Sequence, residues 1–586
     1  MAVSGEALEQ GNYRKPAKHL SFEVEDPDGQ ETGDGSVEAA PLLSSGSQQG
    51  QHKLGRVVSK YTLVAEDDTS WRAYRHEAKR LSQLAVPLAG AHFFNFALSM
   101  ISVAFIGRLG EFELSVAVLA TSFFNVTGLS IIIGFLGAQE TLCGQAFGAK
   151  QYRAVGIVLQ RTLLITLLLG ALICALWSQM EHLMLAMGQD PVIAAGAARY
   201  LHLAMPGLLV SGAFESIKRY LMAQGIVKPS TVVACVAVAL SPLYNWLLIF
   251  KLGWGLDGAV LAMVAADVTM LVFLALWTLW HHRALAGRPQ QTWHGWSLES
   301  LRGWGSFLRL ALPSTVMVCV EWWAFELCVL MSGWLPNPSL HVAVMGLCMN
   351  VQVSLYMFPM GLSSATTVRV SNALGAGLPS SAKRTALTAG TLVFGIELVL
   401  TALVVATRGV LGYVFTDVKE VIDTTAAVLP VLALSLFGDG MNCVLSGVLR
   451  GAGRQGLGAA LNISTFWCMG LPLAGLLAFK AHLGITGLWA GLAATTMVQA
   501  VAIMTIVLRF NWEREAERAA ANFDRRGEGE EAESQPIPSD VGSPVLPRRS
   551  IAAGGEGKGG GKLAPRAALA GAALGAGAGP PLGGLG

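Results

Sequence analysis

Twelve long apolar runs, separated by short polar connections, constrain this chain more than any other feature of its sequence. A hydrocarbon core about 30 Å thick is crossed by roughly 20 apolar residues in an α-helix. The strands of a membrane barrel would alternate apolar and polar residues, whereas these runs are continuous. They lie at residues 82–106, 115–138, 155–177, 193–214, 231–250, 257–280, 308–333, 341–363, 386–408, 424–447, 457–479 and 486–508. The sequence therefore predicts an all-α integral membrane protein with twelve transmembrane helices.

Charged residues are scarce and lie mostly outside the apolar runs. They make up 14% of the chain, against 53% hydrophobic residues. The formal net charge of +2 gives no sign of the basic face that nucleic-acid binding requires. All 8 cysteines fall within the apolar block without a CxxC pair, so we expect small apolar residues rather than disulfide partners or metal ligands. The lipid bilayer is the expected environment, and no cofactor and no nucleic-acid partner are predicted.

A repeat within the chain indicates how the helices are organised. "LAVP" at 84–87 recurs as "LALP" at 310–313, and "FKLGWGLDG" at 250–258 is matched by "FKAHLGITG" at 479–487. Two further matches lie in order between these at a nearly constant offset of about 227 residues. Six helices per repeat is an even number, so both halves have the same orientation and a cavity is expected between them. The predicted fold is two pseudo-symmetric six-helix bundles.

The repeat and the polar segments divide the chain into five parts. These are an N-terminal tail at 1–80, an N-lobe of helices 1–6 at 81–282, an inter-lobe loop at 283–306, a C-lobe of helices 7–12 at 307–510 and a low-complexity C-terminal tail at 511–586. Lysine and arginine near helix ends are more than twice as frequent on the side of the termini, which predicts cytoplasmic termini. The N-terminal tail and residues 551–586 of the C-terminal tail are expected to be disordered because they are polar or rich in glycine and alanine.

The N-terminal tail contains one candidate targeting signal. Glu38, Leu42 and Leu43 fit an acidic dileucine pattern, which would recruit a sorting adaptor. A chance match in a polar tail is the alternative. The pattern favours a vacuolar or other endomembrane location over the plasma membrane, and both remain open.

Two acidic residues lie deep within the predicted helices of the second half. Glu321 is about 14 residues, or roughly 21 Å, from the cytoplasmic end of its helix, and Asp439 is about 10 residues, or roughly 15 Å. An ionisable group at membrane depth costs at least a few kcal/mol and therefore indicates function. Desolvation disfavours the charged form of a carboxyl. Protonation would change which helix packing is preferred, so both acids are candidates for a proton-coupled switch; hydrogen-bonded structural acids are the alternative.

Other polar residues are weaker candidates for the same site. Glu326 lies about 140° around the helix from Glu321 and is assigned to the cavity wall or to an interfacial pair. Asp267 and Glu397 have no repeat-related acid, and their role is left open. The candidates for lining the cavity are Asn350, Gln352, Tyr356, Asn442 and Trp322. The aromatic members of this set offer flat surfaces to an aromatic or cationic ligand.

Five stretches of the chain carry a family resemblance. They are "GAQETLCGQAFGAKQY" (137–152), "YLMAQGIVKPS" (220–230), "LALPSTVMVCVEWWAFELCVLMSGWLPNP" (310–338), "MFPMGLSSATTVRVSNALGAG" (357–377) and "GVLRGAGRQGLGAALN" (447–462). Together they closely resemble the multidrug and toxic compound extrusion (MATE) family, particularly its plant and algal branch. The resemblance implies a MATE-like fold of twelve helices in two lobes and export of organic compounds in exchange for protons.

The resemblance also assigns roles to individual residues. Glu321 matches the acid of the family's seventh helix and Asp439 that of the tenth, which implies proton coupling and cation binding. Glu326 matches an acid of some animal members, whereas Asn350 stands where those members carry a further glutamate. The first helix lacks the aspartate of prokaryotic members, and His92 is one of its nearest polar groups. Coupling through the second lobe is therefore favoured.

The predicted function is secondary active export of small organic compounds from the cytoplasm in exchange for protons, by a monomer. Organic cations, secondary metabolites and xenobiotics are the expected substrates. Alternatives are a sodium-coupled or organic-anion (citrate-like) exporter of the same fold, and a lipid-linked flippase, which would need a large basic cavity. A membrane enzyme is not predicted, because the histidines at membrane depth do not converge with a nucleophile.

Overall fold

The computed structural model describes residues 70–521, and within them twelve helices are long and apolar enough to cross a membrane. We number them α1 to α12 in chain order. They are Trp71–Ile106, Glu111–Gly148, Tyr152–Trp177, Pro191–Ala223, Lys228–Lys251, Gly255–Ala284, Trp304–Ser332, Pro338–Gly375, Pro379–Val414, Lys419–Gly451, Gln455–Lys480 and Gly484–Leu508. Each corresponds to one predicted apolar run, so the all-α, twelve-helix prediction is confirmed.

Two predicted tail boundaries were wrong. Helix α1 begins at Trp71 rather than near residue 81, and the side chain of Ser70 caps it by accepting a hydrogen bond from the Ala73 amide at 3.3 Å. At the other end, residues 512–521 are helical, whereas the prediction placed them in the low-complexity C-terminal tail. Polar residues at both places are held by buried ion pairs, which a hydropathy reading does not detect. The predicted sorting signal at 38–43 lies outside the described residues.

The two halves repeat each other in local detail. Helices α5 and α11 both finish in a wide, π-helical turn, at Trp246–Lys251 and Leu476–Lys480. In the helix that follows each turn, a glycine lies against this turn: a Cβ on Gly258 or on Gly487 would come within 2.6 Å of backbone atoms of the preceding helix. Gly258 and Gly487 are the last residues of the matched segments 250–258 and 479–487. The sequence repeat is therefore also a repeat of structure.

Each lobe has its own apolar core. Large side chains such as Trp177 and Tyr220 fill the N-lobe, and Trp489 and Phe466 fill the C-lobe, all of them at most 1% exposed. The segment between the lobes follows the N-lobe surface: the amide of Gln160 on α3 donates to the carbonyl of Gly295 at 2.6 Å. Because each lobe is packed around its own core, the lobe surfaces that face each other are held in place by helix–helix packing.

Glycines bring the two lobes into backbone contact along α2. A Cβ on Gly148 would lie 2.1 Å from the carbonyl oxygen of Asn372 on α8, and one on Gly134 would lie 2.5 Å from the Cα of Thr315 on α7. A side chain at either position would push the lobes apart, which is why glycine is needed at such close approaches.

Buried ion pairs join the lobes at the end of the molecule where α1 begins, which we call the tail side. Glu77 on α1 accepts hydrogen bonds from Arg369 on α8 at 2.9 and 2.5 Å, and from Thr385 on α9 at 2.7 Å. Glu140 on α2 contacts Arg219 at 3.0 Å and reaches Arg450 on α10 at 3.7 Å. The lobes are thus held together on the tail side.

We expect the buried Glu77–Arg369 pair to matter far more to stability than an exposed pair. The variant Glu77→Gln leaves Arg369 buried without its counter-charge, which costs about 3–5 kcal/mol, and should lower the melting temperature of the detergent-solubilised protein clearly. The control is Glu299→Gln, which removes the exposed Arg153–Glu299 pair at a cost below about 1 kcal/mol. Equal melting temperatures for the two variants would contradict this interpretation.

Candidate functional site

A cavity of about 480 Å³ lies between the two lobes. Its walls come from α1, α2, α4, α5 and α6 on one side and from α7, α8 and α10 on the other. Among its lining residues are His92, Asn95, Ser102, Tyr200, Ser211, Phe214, Glu215, Arg219, Met263, Asp267, Met270, Glu321, Trp322, Phe325, Glu326, Met349, Gln352, Tyr356, Met357, Met360 and Asp439. A pocket of this size with few charged groups in an apolar wall is typical of a small-molecule site.

The cavity occupies the middle of the molecule and the half remote from the tail side, which we call the far side. On α1 the lining runs from His92 to Ser102, and on α7 it runs from Glu321 to Glu326, in both cases the second half of a helix that starts on the tail side. The ion pairs and glycine contacts lie on the opposite side of the cavity. The lobes are therefore in close contact at the tail side, and the cavity lies beyond this contact, toward the far side.

Glu321 is held by an amide from a neighbouring helix. The Nδ2 of Asn462 on α11 donates to the Glu321 carboxylate at 3.1 Å, and it also donates to the Met317 carbonyl at 2.7 Å. The Asn462 side chain is in turn fixed by Gln499 on α12, which donates to its Oδ1 at 2.7 Å. This chain of amides orients Glu321 toward the cavity.

Asp439 is flanked by glycines in the middle of α10. Its Oδ2 accepts a hydrogen bond from Gln352 on α8 at 3.0 Å, while its Oδ1 has no hydrogen-bond partner in the part of the chain that the structure describes. The side chain is 4% exposed and lines the same cavity as Glu321. Tyr356 lines this cavity as well.

Two carboxyl groups in one mostly apolar cavity can hold either protons or a cation. Two adjacent negative charges repel each other, and burial penalises each of them. Binding a proton or a positively charged group relieves both penalties, and the two ligands compete for the same oxygens. The geometry therefore supports exchange of protons for a cation at Glu321 and Asp439.

The N-lobe wall of the cavity carries a second set of charges, most of them neutralised. Glu215 pairs with Lys218 and lies 3.6 Å from Arg219. Asp267 accepts a hydrogen bond from Ser211 at 2.8 Å and also lines the cavity. Sequence reasoning left the role of Asp267 open, because no repeat-related acid pointed to it.

The structure places the remaining candidates in two groups. Glu326, Trp322, Gln352 and Tyr356 line the cavity, so the cavity reaches more than one face of α7. Asn350 and Asn442 are not among the lining residues. The Asn350 side chain donates to the Gly346 carbonyl of its own helix at 3.0 Å, and Asn442 donates to the Thr496 carbonyl on α12 at 3.0 Å. Sequence proximity to an acid did not identify which asparagines face the cavity.

The groups that sequence reasoning missed are Asn462 and the methionines. Asn462 is fully buried and contacts Glu321 across 141 positions of sequence, and only its polarity within an apolar run could have indicated it. Five methionines line the cavity: Met263, Met270, Met349, Met357 and Met360. Thioether side chains are flexible and polarisable, and they adapt to ligands of different shape.

A family model described as MatE matches the chain twice, at residues 87–247 and 313–476. Protein DETOXIFICATION 16 of Arabidopsis thaliana is 38% identical over 465 residues, which cover 78% of this chain and 95% of that protein. Protein DETOXIFICATION 17 of the same plant is 36% identical over 462 residues, covering 79% and 96%. The two matched ranges of the family model correspond to the two halves of the sequence repeat.

Solved structures agree with the fold. The crystal structure of the eukaryotic MATE transporter AtDTX14 superimposes with a TM-score of 0.72 at 34% identity, covering 76% of this chain and 98% of that one. A multidrug-resistance MATE transporter in an outward-facing conformation matches with a TM-score of 0.66 at 19% identity, covering 76% and 97%. At that identity the second likeness concerns the fold alone.

Cysteine labelling tests the cavity lining directly. In a background lacking the 8 native cysteines, we expect Met349→Cys to react readily with a charged, water-soluble thiol reagent added from the far side, because only a hydrated thiolate is nucleophilic. The neighbouring Asn350→Cys, which is outside the lining, is the control and should stay largely unlabelled. Equal labelling of the two positions would show that the cavity wall is assigned incorrectly.

Proposed function

This chain belongs to the MATE family of membrane transporters, and we propose that it exports small organic cations in exchange for protons. The observation that carries the proposal is the pair of carboxyl groups, Glu321 and Asp439, that share the inter-lobe cavity. Protons and a positively charged cargo bind the same oxygens and therefore exclude each other. Such competition is sufficient for exchange, since a ligand shifts two conformations only by its differential affinity for them.

The transport cycle follows from where the lobes touch. With both termini in the cytoplasm, the closed tail side is cytoplasmic and the cavity belongs to the outward-facing state. Protons from the acidic compartment neutralise the two carboxyls in this state, and the cation is released. The neutral carboxyls lower the cost of enclosing the site, the tail-side ion pairs separate, and loss of protons to the cytoplasm restores the site for the next cation.

The cargo class follows from the rest of the wall. Aromatic side chains such as Trp322, Phe325 and Tyr356 present flat faces that attract cations, and the five methionines adapt to different shapes. Arg219, the arginine of the wall, is paired with acids, which disfavours an anionic cargo or a lipid-linked phosphate. Organic cations with apolar or aromatic bodies, among them secondary metabolites and xenobiotics, are the proposed substrates.

The proposal also includes the coupling ion, the membrane in which the protein resides and its oligomeric state. Protons are preferred to sodium because Gln352 and Asn462 supply hydrogen-bond donors to the two carboxyls. A sodium ion would need several additional oxygen ligands instead.

A monomer in an endomembrane such as the vacuolar one, with cytoplasmic termini, fits the proposed exchange. The candidate dileucine signal, Glu38 with Leu42 and Leu43, is the reason to favour the endomembrane.

Neutral variants of the two acids test the proposal. In proteoliposomes with an imposed pH gradient and no sodium, wild-type protein should drive exchange of radiolabelled tetraethylammonium, a cation whose charge does not depend on pH. Glu321→Gln and Asp439→Asn should reduce this exchange to background, because neither variant can alternate between charged and neutral forms. Both are expected in the membrane at normal abundance, as measured by quantitative blotting.

The matched control is Glu299→Gln in the inter-lobe segment, which should transport normally. Gradient-driven exchange by both acid variants would refute the assignment of Glu321 and Asp439. Transport by the wild type that requires sodium instead of a pH gradient would refute proton coupling and favour a sodium-coupled member of the same fold.

Asn462 should act on affinity rather than on folding. The variant Asn462→Ala removes a hydrogen bond to a charged carboxylate worth about 1.5–3 kcal/mol, so the KM for tetraethylammonium should rise about 10-fold to 100-fold. Asn442→Ala, which removes a buried asparagine bonded to a backbone carbonyl instead, is the control and should leave KM within a few-fold. If both variants change KM alike, Asn462 acts through packing and not through Glu321.

A further inference from the structure

Glu397, in the middle of α9, is a buried acid that the proposed mechanism does not use. Its side chain is fully buried at 0% exposure, and neither carboxyl oxygen has a hydrogen-bond partner among the described residues. It is not among the residues that line the cavity. Buried polar groups without partners are uncommon in native proteins, and each calls for a physical explanation.

The Glu397 carboxyl lies against the backbone of α10 directly beside Asp439. A Cβ on Gly440, the residue that follows Asp439, would come within 1.9 Å of its Oε1. On the other side of Asp439, a Cβ on Gly438 would lie 2.5 Å from the hydroxyl of Thr496. The "GDG" sequence thus places Asp439 between two close packing contacts, and only glycine at 440 leaves room for Glu397.

No cation faces Glu397 from the helices around it, within residues 70–521. Helix α10 presents Asp439, an acid, and α12 contains no charged residue. From α1 and α8, Glu77 and Arg369 pair with each other at the level of Thr385, which is about 18 Å along α9 from Glu397 by helix rise.

The nearest bases of α9 itself are also distant. Arg384 and Arg408 lie about 20 and 16 Å away by the same rise. An ionised carboxylate buried without a partner would cost several kcal/mol. In this conformation Glu397 therefore carries a proton.

We propose that Glu397 is a second proton-carrying acid of the transport cycle, situated behind Asp439 on the side away from the cavity. The inference rests on the proton exchange proposed above and adds a site to it. Asp439 lines the cavity and is the chain neighbour of Gly440, against which Glu397 packs, and its Oδ1 has no partner in the described residues. That oxygen is available to receive a proton from behind.

The proposed step transfers one proton. The two carboxyls share no hydrogen bond in this conformation, so the transfer belongs to the tail-side-open state, in which they come within hydrogen-bond distance. There, after Asp439 has lost its own proton to water on the tail side, the O–H bond of Glu397 breaks and a new O–H bond forms on an Asp439 oxygen. The negative charge is left on Glu397, and Asp439 then releases the second proton to water. Reloading from the far side reverses these steps. One more proton thereby moves per cation than Glu321 and Asp439 carry by themselves.

The number of protons exchanged per cation tests the proposal. Proteoliposomes are loaded with tetraethylammonium to set a known cation gradient. The pH gradient at which net tetraethylammonium flux is zero then gives this ratio. Glu397→Gln keeps the size of the side chain and cannot release a proton, so we expect active transport with about one proton fewer per cation and a shallower dependence of rate on pH. Thr401→Val, one turn further along the same face of α9, is the control and should keep the wild-type ratio.

The possible results distinguish the role proposed for Glu397 from the proton exchange proposed for Glu321 and Asp439. An unchanged ratio and pH profile in an active Glu397→Gln protein would overturn the role of Glu397 while leaving Glu321 and Asp439 in place. Absence of gradient-driven transport in the wild type would instead overturn proton exchange as a whole, and the role of Glu397 with it.

If Glu397→Gln does not reach the membrane, infrared spectroscopy of the wild type decides the question. A protonated carboxyl without hydrogen bonds absorbs at higher frequency than bonded ones. That band should be present at low pH and disappear when saturating tetraethylammonium is added at high pH. A band that persists under both conditions, or is absent under both, would overturn the proposal.

Discussion

The cost of placing a carboxyl group in a low-dielectric interior governs this structure, and the chain meets that cost in three ways. Glu77 is neutralised by Arg369 of the opposite lobe and Glu140 by Arg219 of its own lobe and Arg450 of the other, and the pairs between lobes hold the tail side closed. Glu321 and Asp439 receive single amide donors and keep their remaining capacity for a ligand. Glu397 receives neither, so a proton is its remaining means of avoiding an unpaired charge. The acids of the tail side and those of the cavity therefore differ in their partners.

Much of the architecture could be predicted because hydrophobic length and repetition are local properties. Continuous apolar runs gave the twelve helices, and matched glycine-containing segments such as 250–258 and 479–487 gave the two halves. The errors came from polar sequence that is ordered by distant partners. Residues 71–80 read as a tail because Glu77 and its neighbours are charged, although Arg369, nearly 300 positions away, neutralises Glu77.

The candidate site was predictable to a similar extent, and for the same reason. Depth along a helix singled out Glu321 and Asp439, since helix rise converts sequence position directly into depth. Sequence position does not show in the same way which direction a side chain faces around the helix axis, or which helix lies opposite it. Asn442 was chosen for its spacing from Asp439 but faces α12, while Asn462 contacts Glu321 from a helix whose position depends on the folded lobe. A single sequence contains no record of such pairings.

The methionines of the cavity wall have a chemical consequence of their own. A thioether is readily oxidised to a sulfoxide, which is polar and chiral, and dedicated reductases can reverse the change. Oxidation at Met349, Met357 or Met360 would make part of the apolar cavity wall polar. The oxidised side chains would bind water instead of adapting to the shape of an apolar ligand. A transporter with this wall would therefore change its preference among compounds during oxidative stress, without any change in its acids or its helices.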